Sequence, residues 1–433
     1  MADAGTTKPR VVVVGGSLGG LHAALWLRDA GCAVEVFERS PALLQDRGSG
    51  IVLNPATVRY FVGHGLQLAE LSAAANWFRY MSPDGTIAHE EESHYRFAAY
   101  STLYGQLLAA FGRGHYHLAE ECTGFDQDPK GMTARFAGGR EERGDLLVFA
   151  DGINSVGRRM LLPDVAPRYA GYVAWRGTVD EQALSRKTFD ALHAAITYVV
   201  LPDSHALSYP IPTLGPASGA WCGSERNERS EWSAGVHDGA QRCPAGEAHE
   251  PGRRLINWLW YRNVDPGPQL DDLLTGRGGV YFGTSVPPGL VEERHVTRLR
   301  EDAAALAPPF TEMIARTTGP FIQVVFDLEV PRMAFGRMCL IGDAAFTARP
   351  HAAAGTAKAA EDAWTLGRVV AACRGDIVEA LERWEAGQLA LGHQVVARSR
   401  EAGERLQHGT WTVGEPLPFG LYTVGDSTFN TYA

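Results

Sequence analysis

A short glycine-rich run, Gly15-Gly16-Ser17-Leu18-Gly19-Gly20, follows four consecutive valines. Such a turn lets the backbone approach a pyrophosphate, whose charge is stabilised by the exposed N–H groups at the start of the following helix. Glu38 ends the next apolar run, 33–37, where its carboxylate can accept hydrogen bonds from both hydroxyls of an adenosine ribose. This order of strand, turn, helix and strand ending in an acid predicts a dinucleotide-binding βαβ unit.

Ser17 stands where the usual G-x-G-x-x-G pattern has its second glycine. Serine is small enough to permit the close approach, and its hydroxyl can donate a hydrogen bond to a phosphate oxygen. We therefore retain the nucleotide-binding interpretation.

Two further motifs place an aspartate directly after an apolar strand. Asp151 lies in Ala-Asp-Gly-Ile-Asn-Ser, after the apolar run 146–149. Asp343 lies in Gly342-Asp-Ala-Ala and is followed by Pro350 and Gly355, at the start of a predicted helix.

The three motifs, in this order, resemble the flavin-binding half of single-component FAD-dependent aromatic hydroxylases, the para-hydroxybenzoate hydroxylase-like flavoprotein monooxygenases. The resemblance covers essentially the whole chain. It implies an α/β fold in which a Rossmann-like FAD-binding domain is interleaved with a β-sheet substrate domain and followed by C-terminal helices. It also implies FAD as cofactor, NAD(P)H as a transient co-substrate, and hydroxylation by O₂ through a flavin C4a-hydroperoxide.

The resemblance assigns roles on the cofactor side. Asp343 would accept a hydrogen bond from a ribityl hydroxyl, and the helix near Thr356 would direct its N–H groups at the flavin pyrimidine edge. Ala357 replaces the asparagine of the usual Gly-Gln-Gly-x-Asn, and Tyr100 stands near the place where many relatives carry an arginine. The residues expected to bind FAD are Gly15, Ser17, Leu18, Gly20, Glu38, Arg39, Arg47, Asp151, Gly342, Asp343, Pro350, Gly355, Thr356 and Ala357.

On the substrate side, several blocks, including Arg349-Pro-His-Ala-Ala-Ala-Gly, are similar to members that hydroxylate dihydroxypyridines. The expected catalytic residues are His351, Pro350 and Tyr209. His351 would bind a ring hydroxyl and assist its deprotonation, because imidazole titrates near neutrality, and Pro350 would shape the oxygen pocket. A further set of residues is expected either to contact the ring or to belong to the core: Tyr198, His205, Trp221, Trp258 and Trp260.

Two alternatives stay open. One is a flavin-dependent epoxidase or Baeyer–Villiger oxygenase acting on a larger, polyketide-like substrate, which would suit an insertion of poor periodicity at about 215–253. The other is a non-catalytic flavoprotein that binds an aromatic ligand.

Periodicity and motif order divide the chain into interleaved segments. The FAD-binding domain is expected to take 1–70, 100–168 and 280–408, the last with the C-terminal helices. The substrate domain is expected to take 71–99 and 169–279, and a tail covers 409–433. Residues 61–75 are expected to form one helix.

The composition excludes several classes of protein. The formal net charge of −10 disfavours nucleic-acid or anionic-membrane partners, and no apolar stretch approaches the roughly 18 residues of a membrane helix. Six cysteines without C-x-x-C spacing argue against a metal site and favour a reducing cytoplasm. The expected partners are a small aromatic substrate, O₂ and NAD(P)H, and the expected assembly is a homodimer.

Overall fold

The computed structural model describes residues 8–44, 50–213 and 250–423. The strands in these ranges are β1 Arg10–Val14, β2 Ala33–Phe37, β3 Gly50–Val52, β4 Ala73–Met81, β5 Ile87–Ala99, β6 Tyr116–His117, β7 Cys122–Asp128, β8 Gly131–Phe136, β9 Glu141–Gly144, β10 Leu146–Phe149, β11 Arg168–Asp180, β12 Ala195–Leu201, β13 Ser204–Ile211, β14 Leu255–Asn263, β15 Thr275–Gly276, β16 Val280–Tyr281, β17 Ser285–Val286, β18 Phe321–Asp327, β19 Ala334–Phe335 and β20 Met338–Leu340. The α-helices are α1 Leu18–Asp29, α2 Pro55–Gly63, α3 Leu68–Leu71, α4 Tyr100–Phe111, α5 Val156–Leu161, α6 Arg186–Leu192, α7 Pro268–Leu274, α8 Glu293–Asp302, α9 Pro308–Arg316, α10 Gly355–Ala372 and α11 Ile377–Gln407.

The first sheet has the strand order β19-β20-β10-β1-β2-β6. Strand β1 is central and pairs in parallel with β10 on one side and β2 on the other. Its valines 11–14 are buried, as a parallel strand covered on both faces requires. Helices α1 and α10 share this core with the small sheet β7-β8-β9. This sheet is the predicted Rossmann-like layer.

The second sheet has the order β17-β18-β11-β14-β13-β12-β4-β5-β3 and is antiparallel except where β12 meets β4. Its side chains alternate between two cores, following the two-residue period of a strand. Trp258 and Trp260 pack with Phe310 of α9 on one face. Tyr198 and Tyr261 belong to the core on the other face. The two layers and the long C-terminal helices confirm the predicted α/β class.

The boundaries between the layers differ from the predicted ones in two places. Strand β3, inside the predicted FAD-binding segment 1–70, pairs with β5 of the second sheet. Strands β17 and β18, inside the predicted FAD-binding segment 280–408, also belong to that sheet, through the pairing of β18 with β11. Helices α8 and α9 come between these two strands in the sequence, and they cover one face of the sheet through Leu299 and Phe310. The second layer therefore extends to about Asp327.

The predicted single helix over 61–75 is wrong. Helix α2 ends at Gly63, α3 is one short turn, and β4 begins at Ala73. Gly65 has a positive φ of 81°, a conformation that ends a helix. None of the helices in the described ranges of the chain combines the length and apolar character that a membrane crossing requires.

Candidate active site

A cavity of about 510 Å³ lies where the carboxyl ends of β1, β10 and β20 face the second sheet. In parallel sheets, ligands bind in such a crevice, beyond the ends of the strands. The first-layer residues that line it come from the segments 17–19, 150–153, 341–343 and 347–359. The second layer contributes side chains from β3, β11, β12, β13, β14 and β18.

The glycine-rich turn is packed so tightly that two of its positions admit only glycine. Gly15 has a φ of +102°, and a Cβ there would overlap the carbonyl group of Ala150. A Cβ on Gly20 would overlap the carbonyl oxygen of Gly15. This packing brings the N-terminus of α1 to the cavity, where Ser17 and Leu18 form part of the lining. The turn is therefore a cradle of the shape that a pyrophosphate requires.

Ser17 is the N-cap residue of α1, yet its side chain makes no capping hydrogen bond. Its Oγ instead lies 2.8 Å from the hydroxyl of Tyr100, and both residues line the cavity. The N–H groups of the first turn of α1 are thus left for a ligand, beside two hydroxyl groups. Tyr100 supplies a neutral donor at this point of the cavity.

Glu38 is tied to the turn by its carboxylate. Oε2 accepts a hydrogen bond from the Gly16 N–H, and Oε1 accepts one from the Ser40 N–H, each at 2.9 Å. A carboxylate has about four acceptor positions, so two remain for ribose hydroxyls. Glu38 and the exposed Arg39 lie outside the cavity lining.

The carboxylate of Asp343 opens onto the cavity and has no hydrogen-bond partner among the described residues. The side chain is exposed on the cavity side, and desolvation by the surrounding protein raises its pKa to about 6. The turn that holds Asp343 is bonded to α10, because the Gly342 N–H donates to Asp362 Oδ2 at 3.0 Å. Asp362 is also paired with the buried ammonium group of Lys358. The backbone of Asp343 is therefore held in place, and its carboxylate can accept a hydrogen bond from a ligand in the cavity.

Helix α10 begins at the cavity without a side-chain cap. Ala353 has a left-handed φ of +51°, and Pro350, Gly355 and Thr356 line the cavity. The side chain of Ala357 packs instead into an apolar cluster with α11. At 357 only the backbone N–H is left to act on a cofactor. The uncapped N-terminus puts a partial positive charge beside the cavity.

Asp151, which is predicted to bind FAD, caps a helix in the structure. Its Oδ2 accepts a hydrogen bond from the Val156 N–H at 2.7 Å, which caps α5, while Oδ1 is buried without a partner in the described structure. Burial raises its pKa. The neighbours Ala150 and Gly152 line the cavity, but Asp151 does not. The carboxylate of Asp151 thus stabilises the turn 150–156 and does not line the cavity.

The second sheet presents phenols to the cavity. Tyr198 and Tyr261 both line it, and neither hydroxyl has a hydrogen-bond partner among the described residues. Burial raises the pKa of both, so they remain protonated donors. Trp258 and Trp260 lie on the opposite face and are core residues. The alternation of side chains along the strands thus places some aromatic residues at the cavity and the others in the core on the opposite face.

His351 lines the cavity beside these phenols and is bonded to the same sheet. Its Nε2 lies 2.7 Å from the hydroxyl of Tyr172, and its ring centroid lies 4.9 Å from that of Tyr261. Burial, with His205 and Arg349 nearby, holds the pKa of His351 well below its usual value. It is therefore neutral, with Nδ1 as the nitrogen left for a ligand, and the expectation that it titrates near neutrality is wrong, because burial and the nearby cation disfavour the imidazolium. His205 is not part of the lining; its Nδ1 bonds to Gln407.

Tyr209 lines the cavity with its hydroxyl already engaged. The hydroxyl donates to the Gly50 carbonyl at 2.9 Å, and the ring stacks on Phe97. Burial raises its pKa to about 12. This arrangement does not favour the predicted catalytic role; Tyr209 instead positions strand β3.

Three predicted features lie outside the described residues: Arg47, Trp221 and nearly all of the insertion at about 215–253. Conversely, Tyr172 and Phe419 are at the site although no motif pointed to their roles. The two-residue period of a strand could have indicated Tyr172. It lies on the same face of β11 as Ala174, which lines the cavity. For Phe419, in a turn-rich tail, the sequence offered none.

Comparison with known proteins identifies the family. Residues 8–204 match a family described as FAD binding domain, and 169–243 and 242–327 match one described as FAD binding domain-like. The chain is 35% identical over 428 residues to 2,6-dihydroxypyridine 3-monooxygenase of Paenarthrobacter nicotinovorans, covering 98% of this chain and 99% of that protein. It is 27% identical over 423 residues to aurachin C monooxygenase/isomerase of Stigmatella aurantiaca, covering 93% and 90%. The solved structure of 2,6-dihydroxypyridine-3-hydroxylase from Arthrobacter nicotinovorans aligns with a TM-score of 0.85 and 35% identity, covering 96% of this chain and 98% of that one.

The chain therefore belongs to the FAD-dependent aromatic hydroxylase family. It is an enzyme, an FAD-dependent monooxygenase that uses reduced nicotinamide and O₂, as predicted. The residues present fit the cofactor: the uncapped start of α1, held by the glycine cradle, and the unpartnered Asp343 carboxylate line the same cavity.

Proposed function

We propose that this enzyme hydroxylates a hydroxypyridine ring. The balanced reaction joins one ring C–H, O₂, NAD(P)H and a proton to give the hydroxylated ring, water and NAD(P)⁺. The observation that carries the proposal is that Tyr198 and Tyr261 of the second sheet and His351 of the loop before α10 line one cavity with the glycine-rich first layer. The resemblance to the dihydroxypyridine enzymes supports the choice of ring.

On the cofactor side, Ser17 and the N-terminus of α1 would hold the pyrophosphate of FAD, Glu38 the ribose and Asp343 the ribityl chain. When bound, FAD takes a hydride from NAD(P)H and activates O₂ for transfer of one oxygen atom to the ring. The positive end of α10 would stabilise negative charge at the edge of the cavity near Thr356. Pro350 would shape the space beside it.

On the substrate side, the hydroxyls of Tyr198 and Tyr261 would donate hydrogen bonds to the ring oxygens or nitrogen. His351 would accept the proton of a ring hydroxyl at Nδ1. Loss of that proton makes the ring carbon ortho or para to the oxygen more nucleophilic. The Tyr172 hydroxyl bonded to Nε2 would keep the imidazole in the orientation that this transfer requires.

A substrate screen tests the proposal. The purified holoenzyme would be mixed with hydroxypyridines, simple phenols and polycyclic compounds, and NAD(P)H oxidation, O₂ uptake and hydroxylated product would be followed. We expect 2,6-dihydroxypyridine to stimulate NAD(P)H oxidation, with product matching the NAD(P)H consumed. If only a bulky polycyclic compound stimulates NAD(P)H oxidation, the hydroxypyridine proposal is wrong. The result would instead support the alternative of an epoxidase or Baeyer–Villiger oxygenase that acts on a larger substrate.

We further propose that the enzyme works in the cytoplasm as a homodimer. The cysteines in the described ranges of the chain, Cys32, Cys122, Cys339 and Cys373, are free thiols, which suits a reducing compartment. Light scattering after size-exclusion chromatography tests the assembly; a monomer mass would contradict it.

A further inference from the structure

The chain after α11 returns to the cavity and forms part of its wall. Phe419 lines the cavity and is 2% exposed. It belongs to the same apolar core as Tyr198 and Tyr209, and its ring meets that of Tyr95 edge to face at 5.2 Å. Its neighbours therefore place Phe419 on the substrate side of the cavity.

This tail is pinned to the body on both sides of Phe419. Before it, the Trp411 Nε1–H donates to the Tyr80 hydroxyl at 2.6 Å, and the guanidinium of Arg405 pairs with Glu415. The Tyr80 hydroxyl in turn donates to the Glu415 carbonyl at 3.1 Å. The approach to Phe419 is thus fixed by hydrogen bonds and an ion pair.

Beyond Phe419, the tail is bonded to the loop that leads into α10. The Gly420 N–H donates to the Ala352 carbonyl at 3.0 Å. Arg398 of α11 donates to the carbonyl groups of Gly420, Leu421 and Tyr422. Leu421 packs into the apolar cluster that holds Ala357. The wall at Phe419 is therefore coupled to the loop carrying His351 and Pro350.

We propose that Phe419 is a specificity-determining residue that limits the ring site to single-ring substrates. The inference rests on the proposed function, because it assigns Phe419 to the ring side of the same cavity. A rigid, buried phenyl group fixes the wall position, since a well-packed aromatic side chain cannot yield without opening a void. Truncating it adds space at the part of the cavity wall that Phe419 forms and leaves the residues expected to bind FAD unchanged.

The test compares Phe419→Ala with the parent and with Val413→Ala, a matched control at an exposed tail position. For each, kcat/KM and the dissociation constant from flavin absorbance changes are measured with 2,6-dihydroxypyridine and with the two-ring 2-hydroxyquinoline. We expect Phe419→Ala to shift the kcat/KM ratio at least tenfold toward the two-ring compound, with more NAD(P)H lost as hydrogen peroxide and FAD content unchanged. Val413→Ala should keep the parent ratio.

An unchanged ratio in Phe419→Ala would overturn the proposal while leaving the hydroxypyridine function intact. If the parent enzyme turns over the two-ring compound but no single-ring compound, both the Phe419 proposal and the hydroxypyridine function are overturned. If Phe419→Ala retains too little folded protein, Phe419→Leu and Phe419→Trp give the same readout. The former should widen the site slightly, and the latter should weaken binding of the single ring; no change in either also overturns the proposal.

Discussion

The imidazole Nε2 of His351 and the hydroxyl of Tyr172 lie 2.7 Å apart, joining the loop before α10 to strand β11. For His351 to accept a proton at Nδ1, its Nε2 must carry hydrogen and donate to the Tyr172 oxygen. The hydroxyl of Tyr172 can accept from an Nε2–H, and that tautomer leaves Nδ1 free to act as a base. The contact also fixes the imidazole against the second sheet.

We predict that His351→Ala lowers turnover by about 10²–10⁴-fold, the usual contribution of a general base, and leaves FAD content unchanged. Tyr172→Phe should cause a smaller loss, because the imidazole remains but loses the hydrogen bond that orients it. Product formation by the holoenzyme measures both. The matched control is His393→Ala, which removes a half-exposed histidine of α11 that is bonded to Glu329. Full activity in His351→Ala would remove this residue from the mechanism.

Buried histidines should make the protein less stable in acid. Burial lowers the pKa of His22 to about 4 and that of His205 to about 3, against 6.5 for the ordinary side chain. Below pH 6.5 the unfolded chain binds protons that the folded chain does not, so stability is full above that pH and is lost as the pH falls toward 4.

We therefore expect the melting temperature to fall between pH 7 and pH 5, and His22→Leu to flatten this dependence. Each such histidine contributes up to about 1.4 kcal/mol per pH unit to the slope of the free energy of unfolding. Denaturant titrations at several pH values measure the slope. The same slope in His22→Leu and the parent would show that His22 is not protonated on unfolding.

How far the sequence predicted this site depends on how local each feature is. The glycine turn, Glu38 and the Gly342-Asp343 turn each come just after a strand of the first sheet, where the conformation of a few neighbouring residues makes the binding surface. Residue types and spacing alone are enough to locate such motifs. The contact of Ala150 with Gly15 is already tertiary, but it follows from the parallel pairing of β1 and β10.

The remaining features depend on pairings between distant segments. Tyr172 meets His351 only because β11 passes beneath the loop before α10, and Phe419 reaches the cavity by a tail without periodicity. The layer boundary near Asp327 depends on β18 pairing with β11 across the chain. Periodicity shows that a strand exists but does not show which strand it joins. For the same reason the sequence could not show that the Tyr209 hydroxyl bonds to Gly50, which lies in another segment.

Asp343→Ala should weaken FAD binding by about tenfold to a hundredfold, since a hydrogen bond to a charged group contributes about 1.5–3 kcal/mol. Because the pKa of Asp343 is raised to about 6 by desolvation, the parent should also bind FAD less tightly as the pH falls from 7 to 5. Quenching of FAD fluorescence by apoprotein measures both.

In that experiment Asp343→Asn should lose this pH dependence, and Asp164→Asn, at an exposed position outside the cavity, should behave as the parent. An Asp343→Ala protein that retains parental affinity would show that this carboxylate is not the ribityl ligand.

The Ser17 and Tyr100 hydroxyls should act together on the pyrophosphate of FAD. Each of Ser17→Ala and Tyr100→Phe is expected to weaken FAD binding by about twofold to tenfold, the range of a neutral hydrogen bond. The double variant should lose less than the product of the two, because the hydroxyls are bonded to each other at 2.8 Å.

Tyr104→Phe is the matched control for this cycle. Tyr104 lies one turn along α4, stacks with Tyr100, and bonds to Tyr116 rather than lining the cavity. It should keep the parental FAD affinity. Strictly additive losses for Ser17 and Tyr100 would contradict a shared site, and no loss in either would place the pyrophosphate elsewhere.

Tyr209→Phe separates positioning from catalysis. Its hydroxyl donates to the Gly50 carbonyl, while the Asn257 amide oxygen accepts from the Gly50 N–H at 3.2 Å, so strand β3 is held from both sides. Removing the hydroxyl leaves the ring stacked on Phe97 but frees one side of β3. We expect a stability loss of about 1 kcal/mol, a larger fraction of NAD(P)H lost as hydrogen peroxide, and an unchanged pH profile of kcat. Tyr198→Phe, which removes a hydroxyl directed at no protein partner in the described structure, should instead raise KM for the ring without loss of stability. A shifted pH profile in Tyr209→Phe, with full stability, would restore the catalytic role that the sequence predicted.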